Sequence, residues 1–118
     1  MKDIEELRSE ALEAVEKTWF IHSLQVVDQT DQTISLRLVI RSNLFVQAYL
    51  GELSGSLYFA LIEKNQRIFG IDRVFGEWHI HPYGSPFKHK PLDEGLEPKP
   101  LFTFLAKVEK ILLENDLL

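Results

Sequence analysis

The feature that most constrains the fold is the alternation of apolar and polar side chains along residues 33–41. Ile34, Leu36, Leu38 and Ile40 occupy every second position, and most of the residues between them are polar. Successive side chains of a β-strand point to opposite faces of a sheet. The pattern therefore predicts a strand with one buried face and one wetter face.

The surrounding sequence predicts four more strands, joined by short turns. One strand ends at Asp28, and the others span Leu44–Leu50, Ser56–Glu63 and Gln66–Arg73. The turns are rich in Asp, Asn, Ser and Gly. Parallel strands need crossovers of about a dozen residues or more. Because every connection here is shorter, we predict a five-stranded antiparallel meander over residues 20–73.

A helix is predicted at each end of the chain. The first follows Asp3, an N-cap with Glu6 at capping-box spacing, and ends near Thr18. The second runs from Leu101 to about Glu114 and has prolines at its start. The side chains expected to face the sheet are Ile4, Leu7, Ala11, Leu12, Val15 and Trp19, then Leu101, Leu105, Val108 and Leu112. The predicted fold is α+β, with two layers and both helices on one face of the sheet.

Composition limits the class of protein. A length of 118 residues predicts a single domain, residues 1–118. The absence of cysteine excludes disulfides, thiolate nucleophiles and cysteine-ligated metals. No apolar stretch approaches the roughly 20 residues that span a bilayer. The acidic N-terminus is unlike a signal peptide, so we expect a cytoplasmic protein with no membrane partner.

The segment most suggestive of function is the connection formed by residues 74–100. It is long for a compact domain and contains all five prolines. Three of the four histidines, His79, His81 and His89, also lie there. Although the net charge is −5, residues 64–90 hold five basic and two acidic side chains. A small anionic or nucleotide-like ligand is therefore compatible with this segment, whereas nucleic-acid binding over the whole surface is not expected.

The pair His79 and His81 suits two kinds of chemistry. In an extended chain both side chains point to one face, with Cα atoms about 6.5–7 Å apart. Such a pair can act as general base and general acid, because histidine titrates near neutral pH. It can equally ligate a metal, with His89, Asp72 or Glu77 completing the set of ligands.

Neighbouring side chains add binding capacity. The lysines that flank His89 can hold a phosphate or stabilise its developing negative charge, and aromatic side chains can stack on a base. The candidate catalytic residues are His79, His81, His89, Lys88 and Asp72, and the candidate binding residues are Trp78, Tyr83, Lys90 and Arg73.

Structural roles remain open for the same residues. The loop histidines can bond to their own backbone, Trp78 and Phe87 can anchor the loop in the core, and Asp72 can cap a turn. His22 stands alone, and a structural or exposed role is expected for it. No glycine-rich phosphate loop and no Gly-x-Ser-x-Gly motif is present. Their absence weighs against P-loop and serine hydrolases.

The strand pair at residues 60–63 and 67–72, followed by Trp78-His79-x-His81-Pro82 and then His89, resembles the TumE-type toxins of prokaryotic toxin–antitoxin systems. The likeness extends over roughly residues 20–90. It implies a toxin component that pairs with a small DNA-binding antitoxin protein and acts on RNA.

The leading interpretation is a toxin-like ribonuclease that needs neither metal nor cofactor. His79 and His81 would act as base and acid on a ribose 2′-hydroxyl, and Lys88 or Lys90 would steady the phosphate. One alternative is a non-enzymatic module that binds a partner through the exposed sheet face, and another is a metal-binding hydrolase. Apolar residues in both phases of the third and fourth strands also predict a homodimer.

Overall fold

The computed structural model describes residues 1–118 and shows an open antiparallel sheet with two helices. The elements are α1 (Ile4–Lys17), β1 (Ser23–Gln29), β2 (Thr33–Arg41), β3 (Leu44–Gly51), β4 (Ser56–Glu63), β5 (Gln66–Val74), β6 (Glu77–His81), β7 (Lys90–Pro91) and α2 (Pro100–Glu114). The strands lie in chain order, and each pairs antiparallel with its neighbours. The predicted α+β class is confirmed. Neither helix is long and apolar enough to cross a membrane.

The sheet has seven strands, so the prediction of five is wrong. The two additional strands, β6 and β7, lie within the connection that was expected to be irregular. β6 does alternate, with Trp78 and Ile80 between Glu77 and the two histidines, but over only five residues. β7 has only two residues, too few for any periodicity. Phe75 and Gly76 both take positive φ, 53° and 78°, and form the tight turn that returns the chain from β5 to β6.

The core lies between one face of the sheet and the two helices. Ile34, Leu36, Leu38 and Ile40 are each at most 1% exposed, as the alternation in β2 predicts. The predicted sheet-facing residues of α2 are also buried and belong to the same cluster: Leu101, Leu105, Val108 and Leu112. Because the core uses this face alone, the opposite face of the sheet, here called the open face, is covered by neither helix.

The buried stripe of α1 is narrower than predicted. The helix starts as expected, with the Asp3 carboxylate accepting a hydrogen bond from the Glu6 N–H at 2.9 Å. Leu12 and Trp19, however, are 55% and 60% exposed. Leu12 is rotated by about 100° from its buried neighbour Ala11, and Trp19 lies beyond the last helical residue. The α1 residues that are buried are Ile4, Leu7, Glu10, Ala11 and Ala14.

Glu10 connects the two helices. Its Oε2 accepts a hydrogen bond from the Phe102 N–H at 2.8 Å, in the first turn of α2. Such N–H groups have no partner within the helix, and Lys99 at the N-cap position supplies no side-chain bond. Burial raises the pKa of Glu10, while the N–H groups of Phe102 and Leu101 oppose that rise.

The raised pKa of Glu10 predicts a pH-dependent stability difference between the wild type and Glu10→Gln. Gln keeps an oxygen for the Phe102 N–H but cannot ionise. The folded wild type binds the Glu10 proton more tightly than the unfolded chain, so its stability relative to the variant should fall as the pH rises from 4.5 toward neutrality. Urea denaturation of both proteins across this range measures the difference. A difference that stays constant with pH would contradict the role assigned to burial.

Candidate functional site

Strand register places three candidate residues together on the open face. Asp72 of β5 pairs directly with His79 of β6, and Gly70 pairs with His81. Directly paired residues share a face of the sheet, as do residues two apart in one strand. Asp72, His79 and His81 therefore project to the same side, while Ile71 between them is buried in the core.

The short strand β7 brings the third histidine to the same place. Pro91 pairs with His79 across β6 and β7, and His89 lies two residues before it. The His89 ring stacks on the His79 ring, with centroids 4.3 Å apart, and lies 4.9 Å from the His81 ring. Asp72, His79, His81 and His89 thus form one group, here called the histidine cluster.

A buried carboxylate lies at the base of the histidine cluster. Asp72 is only 7% exposed. Its Oδ2 is 3.0 Å from Nε2 of His81, within hydrogen-bonding distance. Its Oδ1 is 3.7 Å from Nδ1 of His79, too long for a hydrogen bond but close enough for an ion pair when the imidazole is protonated. The carboxylate therefore faces both histidines of the His-x-His pair.

The histidine cluster also holds most of the unsatisfied buried polar atoms of the chain. Asp72 Oδ1, His79 Nδ1 and His81 Nδ1 are buried without a hydrogen-bond partner, and the only other such side-chain atom is Nε of Arg37. A buried polar atom without a partner costs about 1–3 kcal/mol. Such atoms are rare in folded proteins and commonly mark a functional role or a bound water or ion.

Trp78 and Arg73, two candidate binding residues, lie on the other side of the sheet. They pair directly with each other, one strand position away from the histidine cluster. Trp78 is half-buried and packs against the core, which agrees with its predicted anchoring role. The Arg73 guanidinium donates to Glu97 at 2.9 Å and to the Met1 carbonyl at 2.7 Å. Both side chains are engaged in holding the fold.

The lysines and the remaining aromatic residues of the connection are exposed. Lys90 pairs with Ile80, which packs against the core, so it projects away from the histidine cluster. Lys88 is exposed and follows a turn closed by its own N–H on the Ser85 carbonyl. Tyr83 is 39% exposed. Phe87 is 97% exposed, so the prediction that Phe87 anchors the loop is wrong.

Sequence reasoning identified the histidines but left the role of Asp72 open. The missing information was the register between β5 and β6, which depends on the two-residue turn at Phe75-Gly76. A Gly after an aromatic residue is a weaker hairpin signal than Asn-Gly or Asp-Gly. A two-residue turn at Phe75-Gly76 pairs Val74 with Glu77, and the pairing of Asp72 with His79 follows two residues further along each strand.

The arrangement permits two kinds of chemistry. A carboxylate bonded to an imidazole orients the ring, and a second imidazole nearby can transfer a proton in the other direction. The same groups can ligate a metal ion: Asp72, His81 and His89 each offer one ligand atom, and the three atoms lie within 4.8 Å of one another. The exposed His22 lies outside this arrangement, as expected.

Comparison with protein-family models, with curated proteins and with solved structures gave no match in any of the three searches.

The placement of Trp78 predicts a strong effect of a substitution at Gly95. Gly95 has φ +61°, and a Cβ there would lie 2.7 Å from the Trp78 ring. Gly84 also has a positive φ, 85°, but a Cβ there meets nothing within 4 Å. We expect Gly84→Ala to cost about 1–2 kcal/mol from backbone strain alone. Gly95→Ala should cost about 1–3 kcal/mol more, because the indole must move. Equal costs in urea denaturation would contradict the packing of Trp78 described above.

Proposed function

We propose that this protein is the RNA-cleaving toxin component of a toxin–antitoxin module and that the histidine cluster is its catalytic centre. The observation that carries the proposal is the contact of the Asp72 carboxylate with both members of the His-x-His pair. The toxin assignment draws on the resemblance of residues 20–90 to TumE-type toxins. We further propose that the reaction takes place in the cytoplasm.

In the proposed reaction His79 and His81 serve as general base and general acid. The base removes the proton of a ribose 2′-hydroxyl, and the 2′-oxygen attacks the adjacent phosphorus. The acid donates a proton to the 5′-oxygen as the phosphorus–oxygen bond to it breaks. A 2′,3′-cyclic phosphate and a free 5′-hydroxyl result, so the step consumes no water, and the two proton transfers are assigned to the histidines alone. The general base and the general acid each raise the rate of such a reaction by about 10²–10⁴-fold.

Asp72 acts as a positioning residue in this proposal. Its bond to Nε2 of His81 fixes the orientation of that ring, and its negative charge favours the imidazolium that forms during proton transfer. His81 Nδ1 is buried and Nε2 is bonded, and the His89 ring lies 4.9 Å from the His81 ring, so we expect substrate to reach His81 by displacing His89. His89 is exposed and lies just before the two-residue strand β7, outside the sheet pairing, which supports such a movement.

Of the two lysines, Lys88 suits the phosphate better. Its ammonium is exposed and forms no ion pair. Lys88 also lies before β7, so strand register does not direct it away from the cluster, whereas Lys90 projects from the opposite side of β7. A cation near the transferring phosphoryl group stabilises the charge that develops there.

Substitution of the paired histidines tests the proposal. We expect His79→Ala and His81→Ala each to slow cleavage of a labelled single-stranded RNA by about 10²–10⁴-fold. His22→Ala, a change at an exposed histidine outside the cluster, is the matched control and should cleave at the wild-type rate. Melting temperatures of all four proteins show whether any loss is a folding defect. RNA cleavage and toxicity that survive both cluster substitutions in folded proteins would contradict the proposal.

A small DNA-binding antitoxin is the partner that the resemblance implies. Its gene would adjoin the toxin gene. The test is therefore to co-express this protein with the product of an adjoining reading frame that encodes a helix-turn-helix protein. Suppression of toxicity by that protein would support the pairing.

A homodimer formed through the open face is a second candidate, favoured by the aromatic residues there. Tyr49 and Tyr58 lie side by side with centroids 5.7 Å apart, and Tyr58 is 40% exposed. We expect light scattering at tens of micromolar to report twice the chain mass of 13.7 kDa, and Tyr58→Ser to shift the mass toward the monomer. A monomer in both proteins would contradict dimerisation. Such a dimer would cover the histidine cluster, so it predicts slower RNA cleavage at high protein concentration.

A further inference from the structure

We propose that Asp72, His81 and His89 form a binding site for a divalent transition-metal ion, with Zn²⁺ as the ion that suits it, and that the bound ion blocks the proton-transfer chemistry of the same cluster. The binding of the ion is inferred only from the positions of the three side chains. Its inhibitory effect rests on the proposed function.

The ligand atoms are nearly in place. The three residues offer one nitrogen or oxygen each, within 4.8 Å of one another. Two ligands at about 2.0–2.1 Å from Zn²⁺ lie about 3.0–3.4 Å apart. The 3.0 Å separation of His81 Nε2 and Asp72 Oδ2 already falls in that range. Only the third ligand, on the exposed His89, needs to approach further.

Two of the three ligands are held firmly and are short of partners. Asp72 and His81 come from the neighbouring strands β5 and β6, and their side chains are only 10% and 12% exposed. The proposed ligand atoms, Asp72 Oδ2 and His81 Nε2, are hydrogen-bonded only to each other, and the second polar atom of each side chain, Asp72 Oδ1 and His81 Nδ1, has no hydrogen-bond partner. A fixed carboxylate and imidazole lose little freedom when an ion binds, so His89 alone pays an ordering cost in entropy.

The ligand types select among metals. Imidazole nitrogen suits Zn²⁺, Ni²⁺, Cu²⁺ and Fe²⁺, whereas Mg²⁺ and Ca²⁺ prefer sites built from oxygen. Two histidines and one carboxylate are also the ligand set of zinc sites that retain an open position. His79 is not part of the set but lies against it, since its ring stacks on His89.

An ion at this site takes the groups that the proposed reaction needs. It binds the lone pair of His81 and neutralises the charge of Asp72, and it fixes His89 beside His81. Zn²⁺ should therefore inhibit RNA cleavage over the same concentration range in which it binds.

Calorimetric titration of the full-length protein, without a histidine tag, measures binding directly. We expect one Zn²⁺ per chain, and no heat from Mg²⁺. His89→Ala removes a ligand on an exposed side chain and should weaken Zn²⁺ binding by at least about tenfold. Asp72→Asn keeps the shape of the side chain but loses the anionic ligand, and should weaken binding similarly. His22→Ala should bind as the wild type does.

The outcomes separate this inference from the proposed function. No Zn²⁺ binding at about 100 µM, or equal binding by wild type and His89→Ala, overturns the metal site whatever the RNA assay shows. RNA cleavage is measured in EDTA, so its absence there contradicts the proposed function and leaves the binding result intact. If the wild type cleaves RNA and binds Zn²⁺ but is not inhibited by it, the blocking role is wrong.

Discussion

The structure depends on the burial of one sheet face by two helices. β2, β3 and β4 place apolar side chains on this face, and α1 and α2 supply the other half of the core. One-sided burial leaves the second face available for polar side chains, because an antiparallel sheet can face water on one side. Every member of the histidine cluster lies on that second face. Because one face of the sheet forms the core and the other is free of the helices, a chain of 118 residues has room for both a core and the candidate site.

Within the site, the backbone ladder determines most of the geometry. Asp72 and His79 are directly paired, so their proximity is set by hydrogen bonds of the sheet rather than by side-chain contacts. Burying the Asp72 carboxylate costs free energy, and the hydrogen bond from His81 offsets only part of that cost, because the second carboxylate oxygen has no partner. A buried polar group without a hydrogen-bond partner lowers the free energy of unfolding. The stability provided by the core on the opposite face is what makes such an arrangement sustainable.

The parts of the fold that could be predicted from sequence are those governed by local rules. The predicted strands Ser56–Glu63 and Gln66–Arg73 leave only Lys64-Asn65 between them, and both residues take the positive φ of a two-residue hairpin turn, 50° and 66°. The buried quartet of β2 followed from alternation alone. β6 was missed because its alternation, with Trp78 and Ile80 toward the core, extends over only five residues of a connection rich in proline. The bond from Glu10 to α2 was missed because it joins residues 92 positions apart.

In the candidate site, too, the features set by local sequence were predictable, whereas those set by pairing between strands were not. The histidines stood out by their spacing, and the orientation of His79 and His81 to one face follows from strand geometry. The separation of Lys90 and Trp78 from them needed the register of β6 and β7, which depends on tertiary pairing. His89 joined the cluster only through β7, an element too short for any sequence signal.

The edge formed by β7 has a consequence for how this protein meets others. An unpaired edge strand exposes a row of N–H and C=O groups that can accept a strand from another chain. Pro91 has no N–H to offer, and β7 ends with it. This border of the sheet is therefore a poor template for adding a strand. A molecule that reaches the histidines must do so by side-chain contact across the open face, which makes recognition there a matter of shape and charge rather than of backbone pairing.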